Sequence, residues 1–315
     1  MQTFIIRRLL IGVVILFILS VTVFFLLRVV PGDPAIRRCG LGCTEEQLAA
    51  IREELGLNKS YAAQYWDWMS GVLTGDLGQA NFTGRPVSES IQQRLPVTLE
   101  LMLLAMIFTI LIGIPFGVIS AVFRNTPADY LVRVVAVFGL AVPVFWVATL
   151  VLIIPLEVWG YAPPLGVKIS PIEDPWGNFK QMAPAAAVLA IASAAGIMRL
   201  MRSSLLEVMR QDYMRTARAK GLKERSVILA HGLKNSLIPV ITVLGLQISG
   251  LLGGAIIVEQ IFNLPGLGDY TFRALFANEF EVVQTMTLYA GATVVIINLI
   301  VDVSYAWLDP RIRYS

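Results

Sequence analysis

Met201 to Ile241 reads MRSSLLEVMRQDYMRTARAKGLKERSVILAHGLKNSLIPVI, a basic stretch with an apolar run, Gln181 to Met198, before it and another, Asn235 to Val258, starting at its end. Between Arg199 and Lys234 nine basic residues face three acidic ones, Glu207, Asp212 and Glu224, a net +6. Charge of one sign, bounded by apolar runs, is the mark of a segment held outside a bilayer on its cytoplasmic side. It is the only sizeable charged insertion that reads this way.

The rest of the chain agrees. Of 315 residues, 56% are hydrophobic and 15% charged, against about 25% charged in ordinary soluble domains. The net charge of +3 is small and points to no nucleic-acid partner. Six charge-free runs approach the roughly 20 residues that cross a bilayer: Leu9 to Leu27, Leu101 to Phe123, Val134 to Leu156, Gln181 to Met198, Asn235 to Val258 and Val282 to Val301. The fold expected is an all-α integral membrane protein of six transmembrane helices with both termini on one side. The first run follows Arg7 and Arg8 but is long for a signal peptide and lacks a cleavage site after it, so it reads as an uncleaved anchor. Arg7, Arg8, Arg124, Arg133, Arg311 and Arg313 share their side with the opening stretch, while the alternate loops are neutral to acidic. Both termini are therefore expected in the cytoplasm.

Three segments follow: an anchor helix at 1–30, an extracytoplasmic helical cap at 31–96, and a five-helix core at 97–315 that contains the cytoplasmic loop 199–236. Pro-Gly-Asp-Pro from Pro31 stops the first helix. Thr44 with Gln47 makes a capping box, and Gly56 closes the helix it opens. A second cap helix, Tyr61 to Val72, carries Tyr61, Tyr65, Trp66 and Trp68, residue types that settle at a membrane interface. Cys39 and Cys43 read either as a local disulfide in an oxidising compartment or as free thiols under the cap. His231, the single histidine, lies across the membrane from them, so no metal site is expected. The loop from Glu157 to Lys180 should be irregular, and Leu264 to Tyr270 a turn. Gly113, Pro115, Gly117 and Pro143 read as helix-packing residues.

Arg28, Glu100, Glu259 and Asp302 stand near span ends, where interface water relieves their charge. That scarcity of central charge weighs against an ion-coupled carrier. No nucleophile and base, Gly-x-Ser-x-Gly or Walker A pattern is present, so no enzyme activity and no cofactor are expected on this chain. The main alternative is a self-sufficient secondary carrier or channel for a small solute, but neither internal repeats nor paired broken helices are visible.

The opening stretch should continue the fourth span as a helix from Arg199 to Arg218 and stop at Gly221. A second helix should run from Lys223 to Leu233, with Asn235 or Ser236 capping the fifth span ahead of Pro239. The result is an elbow that offers Thr216, Ala217 and Ala219 ringed by positive charge. A loop serving only topology and lipid headgroups accounts for the charge, but not for an Ala-rich helix ending in a turn.

Here the sequence resembles the membrane permease subunits of ABC importers, specifically the first permease of dipeptide, oligopeptide and nickel uptake systems. The cytoplasmic loop of that family reads Glu-Ala-Ala, three residues, Gly, then a hydrophobic-Pro ending. Arg215, Thr216, Ala217 and Gly221, with Ile238-Pro239, occupy those places, and only Ala217 and Gly221 match literally. The run DYMRTARAKGL from Asp212 is similar to the peptide-permease version. PGDP at Pro31, GDLG at Gly75, LPVTLEL at Leu95, LPGLG at Leu264 and LDPRIRY at Leu308 extend the resemblance over nearly the whole chain. It implies the type I importer permease fold, a multi-pass place in a bacterial or archaeal cell membrane, and a second related permease. It further implies two ATPase subunits that carry ATP and Mg, and an extracytoplasmic substrate-binding protein. ATPase coupling would fall to Tyr213, Arg215, Thr216, Ala217, Arg218, Ala219, Lys220, Gly221 and Leu222. Gln247, Ser249 and Asn298, polar groups within spans, either line the pathway or bond helix to helix.

Overall fold

The computed structural model describes residues 2–29, 34–40, 42–80 and 83–308. The Pro-Gly-Asp motif at 31–33, Leu41, and the tail from 309, including Arg311 and Arg313, lie outside them. Among the described residues all regular structure is helical, apart from one isolated bridge between Gln79 and Pro86. The chain divides into two compact units, Met1–Val97 with Pro265–Ser315, and Thr98–Leu264.

In the first unit α1 (Gln2–Val29) is followed by α2 (Pro34–Cys39), α3 (Glu45–Glu54), α4 (Tyr61–Thr74) and the beginning of α5 (Val87–Val122). The capping box forms: the Thr44 hydroxyl accepts from the Gln47 amide, and the Gln47 side chain accepts from the Thr44 amide at 3.1 Å. Cys39 and Cys43 are joined in a disulfide, with Cα atoms 5.6 Å apart. Tyr65 and Trp68 turn inward: Tyr65 bonds Ser20 at 2.8 Å, Trp68 donates to Thr285 at 3.3 Å, and both rings meet Phe24. Only Tyr61 and Trp66 of the four cap aromatics remain largely exposed. A small hydrophobic core under the cap holds the other two. Within the unit Gly12 of α1 lies against Val295, and Gly291 against Leu19 of α1, contacts that leave no room for a Cβ on either glycine.

The second unit is built around α8 (Pro175–Val208), the most buried of the apolar helices. Its small residues Ala194, Ala195 and Ala190 admit neighbours closely. Gly113 and Gly117 of α5 press on Ile197 and Met201, where an added Cβ would come within 2.7 Å and 2.6 Å. α6 (Pro127–Ala141) packs Val132 and Ala136 on Ala194, Ala195 and Met198.

Among the described residues five helices are long and apolar enough to cross a membrane, and six if α6 and α7 (Val144–Trp159) count as one bent span. That pair corrects the third run, expected as one helix. The helices diverge by 105° at Val142–Pro143. Pro143 has no amide hydrogen and drives Val142 into extended backbone at ψ 130°, so the ladder ends there. Pro143 thus bends the chain, while Gly113 and Gly117 pack as expected.

Five further expectations change. The helix from Arg199 to Arg218 is broken: α8 stops at Val208 and α9 (Asp212–Ala219) starts after an extended Gln211. The return is α10 (Glu224–Ser226) and a π-helical stretch, Val227–Leu233, running without a cap into α11 (Lys234–Ile261). Ser236 is buried and its hydroxyl donates to Leu233 O, so it starts nothing. After α11, Leu264 to Tyr270 is only half a turn, because Pro265-Gly266 opens α12 (Leu267–Phe276) ahead of α13 (Phe280–Leu308). The irregular loop is shorter than expected, since α7 reaches Trp159 and Asp174 caps α8 by accepting from Gly177 N at 2.8 Å. Glu259, finally, is fully buried, and the Thr98 hydroxyl donates to it at 2.6 Å. A buried carboxylate needs such donors in place of water.

Candidate functional site

The basic elbow takes its shape from a few apolar contacts. Met214 and Ala217, one turn apart on α9, share a face and are buried with Val227 against Val208 and Met209. Breaking the helix at Met209–Gln211 is what folds that face back on α8. Gly232 completes the seat, because a Cβ there would press on Leu205 Cδ1 at 3.2 Å and Met214 Cε at 3.3 Å.

The turn itself is closed by polar contacts. Gly221 stands at φ +75°, with no atom within 4 Å of an added Cβ. It is required by backbone conformation rather than by space. Its amide donates to Arg218 O at 2.9 Å, and the Leu222 amide reaches Ala217 O at 3.4 Å. Across the turn Arg218 forks onto Glu224, Nη2 to Oε1 at 2.9 Å and Nε to Oε2 at 3.1 Å. The carboxylate raises the guanidinium above its ordinary pKa. Asn235 Nδ2 donates to Tyr213 Oη and to His231 O, both at 3.0 Å, tying α9 to the start of α11. Asp212 sits in the first turn of α9, where a negative charge suits the helix dipole.

Seven of the nine residues expected at this surface are exposed: Tyr213, Arg215, Thr216, Ala219, Lys220, Gly221 and Leu222. Arg218 is half-buried by its fork. Ala217 corrects the expectation, since it faces inward at 7% exposure. Its small size lets α9 approach Val227, so it positions the surface without belonging to it. The parts that Met214, Gly232, Glu224 and Asn235 play in shaping the elbow were not expected, Asn235 having been read only as a cap of the fifth span. The i, i+3 pairing of Met214 with Ala217 was a visible signal, whereas the partners of Glu224 and Asn235 depend on how the chain turns.

Beneath the elbow a second arginine fork braces α8. Arg202 Nε and Nη2 donate to the two oxygens of Asp129 at 2.8 Å and 2.9 Å. Asp129, fully buried, also accepts from Ser120 Oγ at 2.6 Å and from Asn125 N at 3.0 Å. One carboxylate thus ties the ends of α5 and α6 to α8 just before it becomes the elbow. The polar residues expected within spans fall in different places. Gln247 is half-buried on α11 and donates to Ser193 O of α8 at 3.4 Å, a bond between helices. Ser249 is half-buried on the same helix, and Asn298 half-buried on α13 in the other unit. No group of three or more His, Cys, Asp or Glu side chains is placed to hold a metal ion among the described residues.

Comparison with known proteins places this architecture among relatives. The family described as "Binding-protein-dependent transport system inner membrane component" matches residues 113–314, and the corresponding N-terminal family matches residues 1–102. An oligopeptide transport system permease protein of Bacillus subtilis is 41% identical over 317 residues, covering all of both chains. A putative peptide transport system permease protein of Brucella abortus is 39% identical, and a glutathione transport system permease protein of Escherichia coli 38%, again over the whole of both chains. A solved amino acid ABC transporter chain shares the fold with a TM-score of 0.55 at 15% identity, over 70% of this chain and 94% of its own.

Proposed function

The chain belongs to the family of binding-protein-dependent transport system inner-membrane components, and on that premise we propose that it is the peptide-conducting permease of an ATP-driven importer, worked through its elbow. Relatives named for peptide, oligopeptide and glutathione transport support a peptide cargo. In this reading the chain forms half of the pathway with a second, related permease. Two ATPase subunits supply ATP and Mg chemistry, and an extracytoplasmic binding protein delivers substrate. Both termini and the elbow face the cytoplasm, in keeping with the distribution of Lys and Arg.

The observation that carries the coupling role is the contrast within α9. One face, Met214 and Ala217, is locked to Val227, while Tyr213, Thr216, Lys220 and Leu222 are exposed at a fixed turn. A rigid knob on the end of the central helix transmits movement as a body, and alternating access follows without chemistry in this chain.

Gly221→Val tests it. A β-branched residue at positive φ costs about 1–2 kcal/mol of local strain, too little to unfold the protein but enough to misshape the knob. Reconstituted with its partners, the variant should remain in the membrane, lose peptide uptake and leave ATP hydrolysis unresponsive to substrate. Normal uptake would end the proposal. Peptide flux through the isolated chain without ATP would favour the self-sufficient carrier instead.

A further inference from the structure

Between α6 and α8 runs an open groove of about 600 Å³ lined by Arg133, Arg199, Arg202, Ser203, Val137 and Gly196. Three arginines therefore line one groove between apolar helices. Asp129 neutralises Arg202 and holds it in a fixed fork. Among the described residues no acidic partner is recorded for Arg133 or Arg199, so the groove carries two uncompensated positive charges.

Its surroundings are those of a headgroup layer. Arg133 lies 5.3 Å over the ring of Tyr130, and that ring is exposed, as interfacial tyrosines are. On the same helix Leu131, Val134, Val137 and Phe138 present an exposed apolar face. Positive charge at the rim with aliphatic surface below complements a phosphodiester attached to acyl chains. Basic pockets between spans on the cytoplasmic side hold anionic lipid headgroups for this reason.

We propose that this groove binds the phosphate of an anionic phospholipid, with Arg133 and Arg199 as its ligands and the Asp129-fixed Arg202 as a positioned third donor. The lipid would sit against α8 a few residues before the elbow, so its presence would brace the helix that carries the knob. The site rests on the cytoplasmic placement proposed above, though not on the peptide cargo.

Native mass spectrometry of the purified full chain, and of the chain paired with its second permease, provides the test. Phosphatidylglycerol is the probe, with phosphatidylcholine and inorganic phosphate as controls. Wild-type protein should retain phosphatidylglycerol in preference to phosphatidylcholine. The double variant Arg133→Gln/Arg199→Gln should lose that retention by roughly tenfold or more, since each surface cation contributes measurably to anionic lipid binding. Arg225→Gln, away from the groove, should leave it unchanged, and Arg133→Lys/Arg199→Lys should restore much of it, which separates lost charge from lost folding. Equal retention of the two lipids, retention unaffected by the double Gln variant, or equal occupancy by inorganic phosphate would each overturn the proposal. So would loss of the lipid when the second permease binds, which would make the groove a protein interface.

Discussion

Two arginine forks lie within a short distance of each other in sequence and do different work. Arg202 and Asp129 bond at 2.8 Å with side-chain exposures of 22% and 0%, whereas Arg218 and Glu224 bond at 2.9 Å with exposures of 36% and 54%. The chemistry is the same and the geometry nearly so. Burial separates them. Asp129 has exchanged water for four protein donors, so removing its carboxylate leaves a half-buried guanidinium unpaired and Ser120 and Asn125 without their acceptor. Glu224 has kept its water, and its fork chiefly sets the shape of a turn. The inner fork is a brace; the outer one adjusts a surface.

That contrast can be broken by experiment, starting where it should be widest. Asp129→Ala should cost about 3–5 kcal/mol, the usual loss when a buried pair is halved. Thermal unfolding in detergent should show a large drop in Tm, and an unchanged Tm would erase the distinction between the forks. Gly117→Ala probes the packing beside the same brace. Its new methyl would meet Met201 Cβ at 2.6 Å and Met198 O at 2.8 Å, so a loss of about 1–3 kcal/mol is expected from overpacking. A neutral or stabilising result would mean that α5 can slide on α8. Smallest of all, Glu224→Gln should change stability by no more than about 1 kcal/mol, and that difference should shrink further in salt. A salt-insensitive drop as large as that of Asp129→Ala would show that the outer fork is buried in the working protein, against a partner subunit.

Much of this architecture was legible beforehand. The apolar runs were visible because a bilayer demands about 20 apolar residues per crossing regardless of tertiary contacts. The capping box at Thr44 and the stop at Gly221 were visible for a similar reason, since each is decided by residues within one turn of each other. The break at Pro143 was harder. It interrupts neither charge nor hydropathy, and prolines at 115, 155, 184 and 239 sit inside continuous helices of the same chain. A proline permits a bend, and the neighbours decide whether it is used. The gap between α8 and α9 is similar: nothing between Val208 and Asp212 forbids a helix, and the chain turns there because Met214 finds its burial against Val227.

The basic elbow was located by charge and by resemblance, yet which of its faces looks outward was not. Ala217 and Thr216 are neighbours in sequence, but one is buried and the other exposed. Amino-acid sequence alone determined that this is a multi-span membrane protein with a charged elbow before its fifth apolar run, because hydropathy, charge and turn chemistry act over a few residues. Tertiary structure alone decided the 105° bend, the inward turn of Ala217, and the union of Asp129 with Arg202 across 73 positions. Those depend on which helices touch, and burial free energy is set by the contacts a side chain makes and not by its place in the chain.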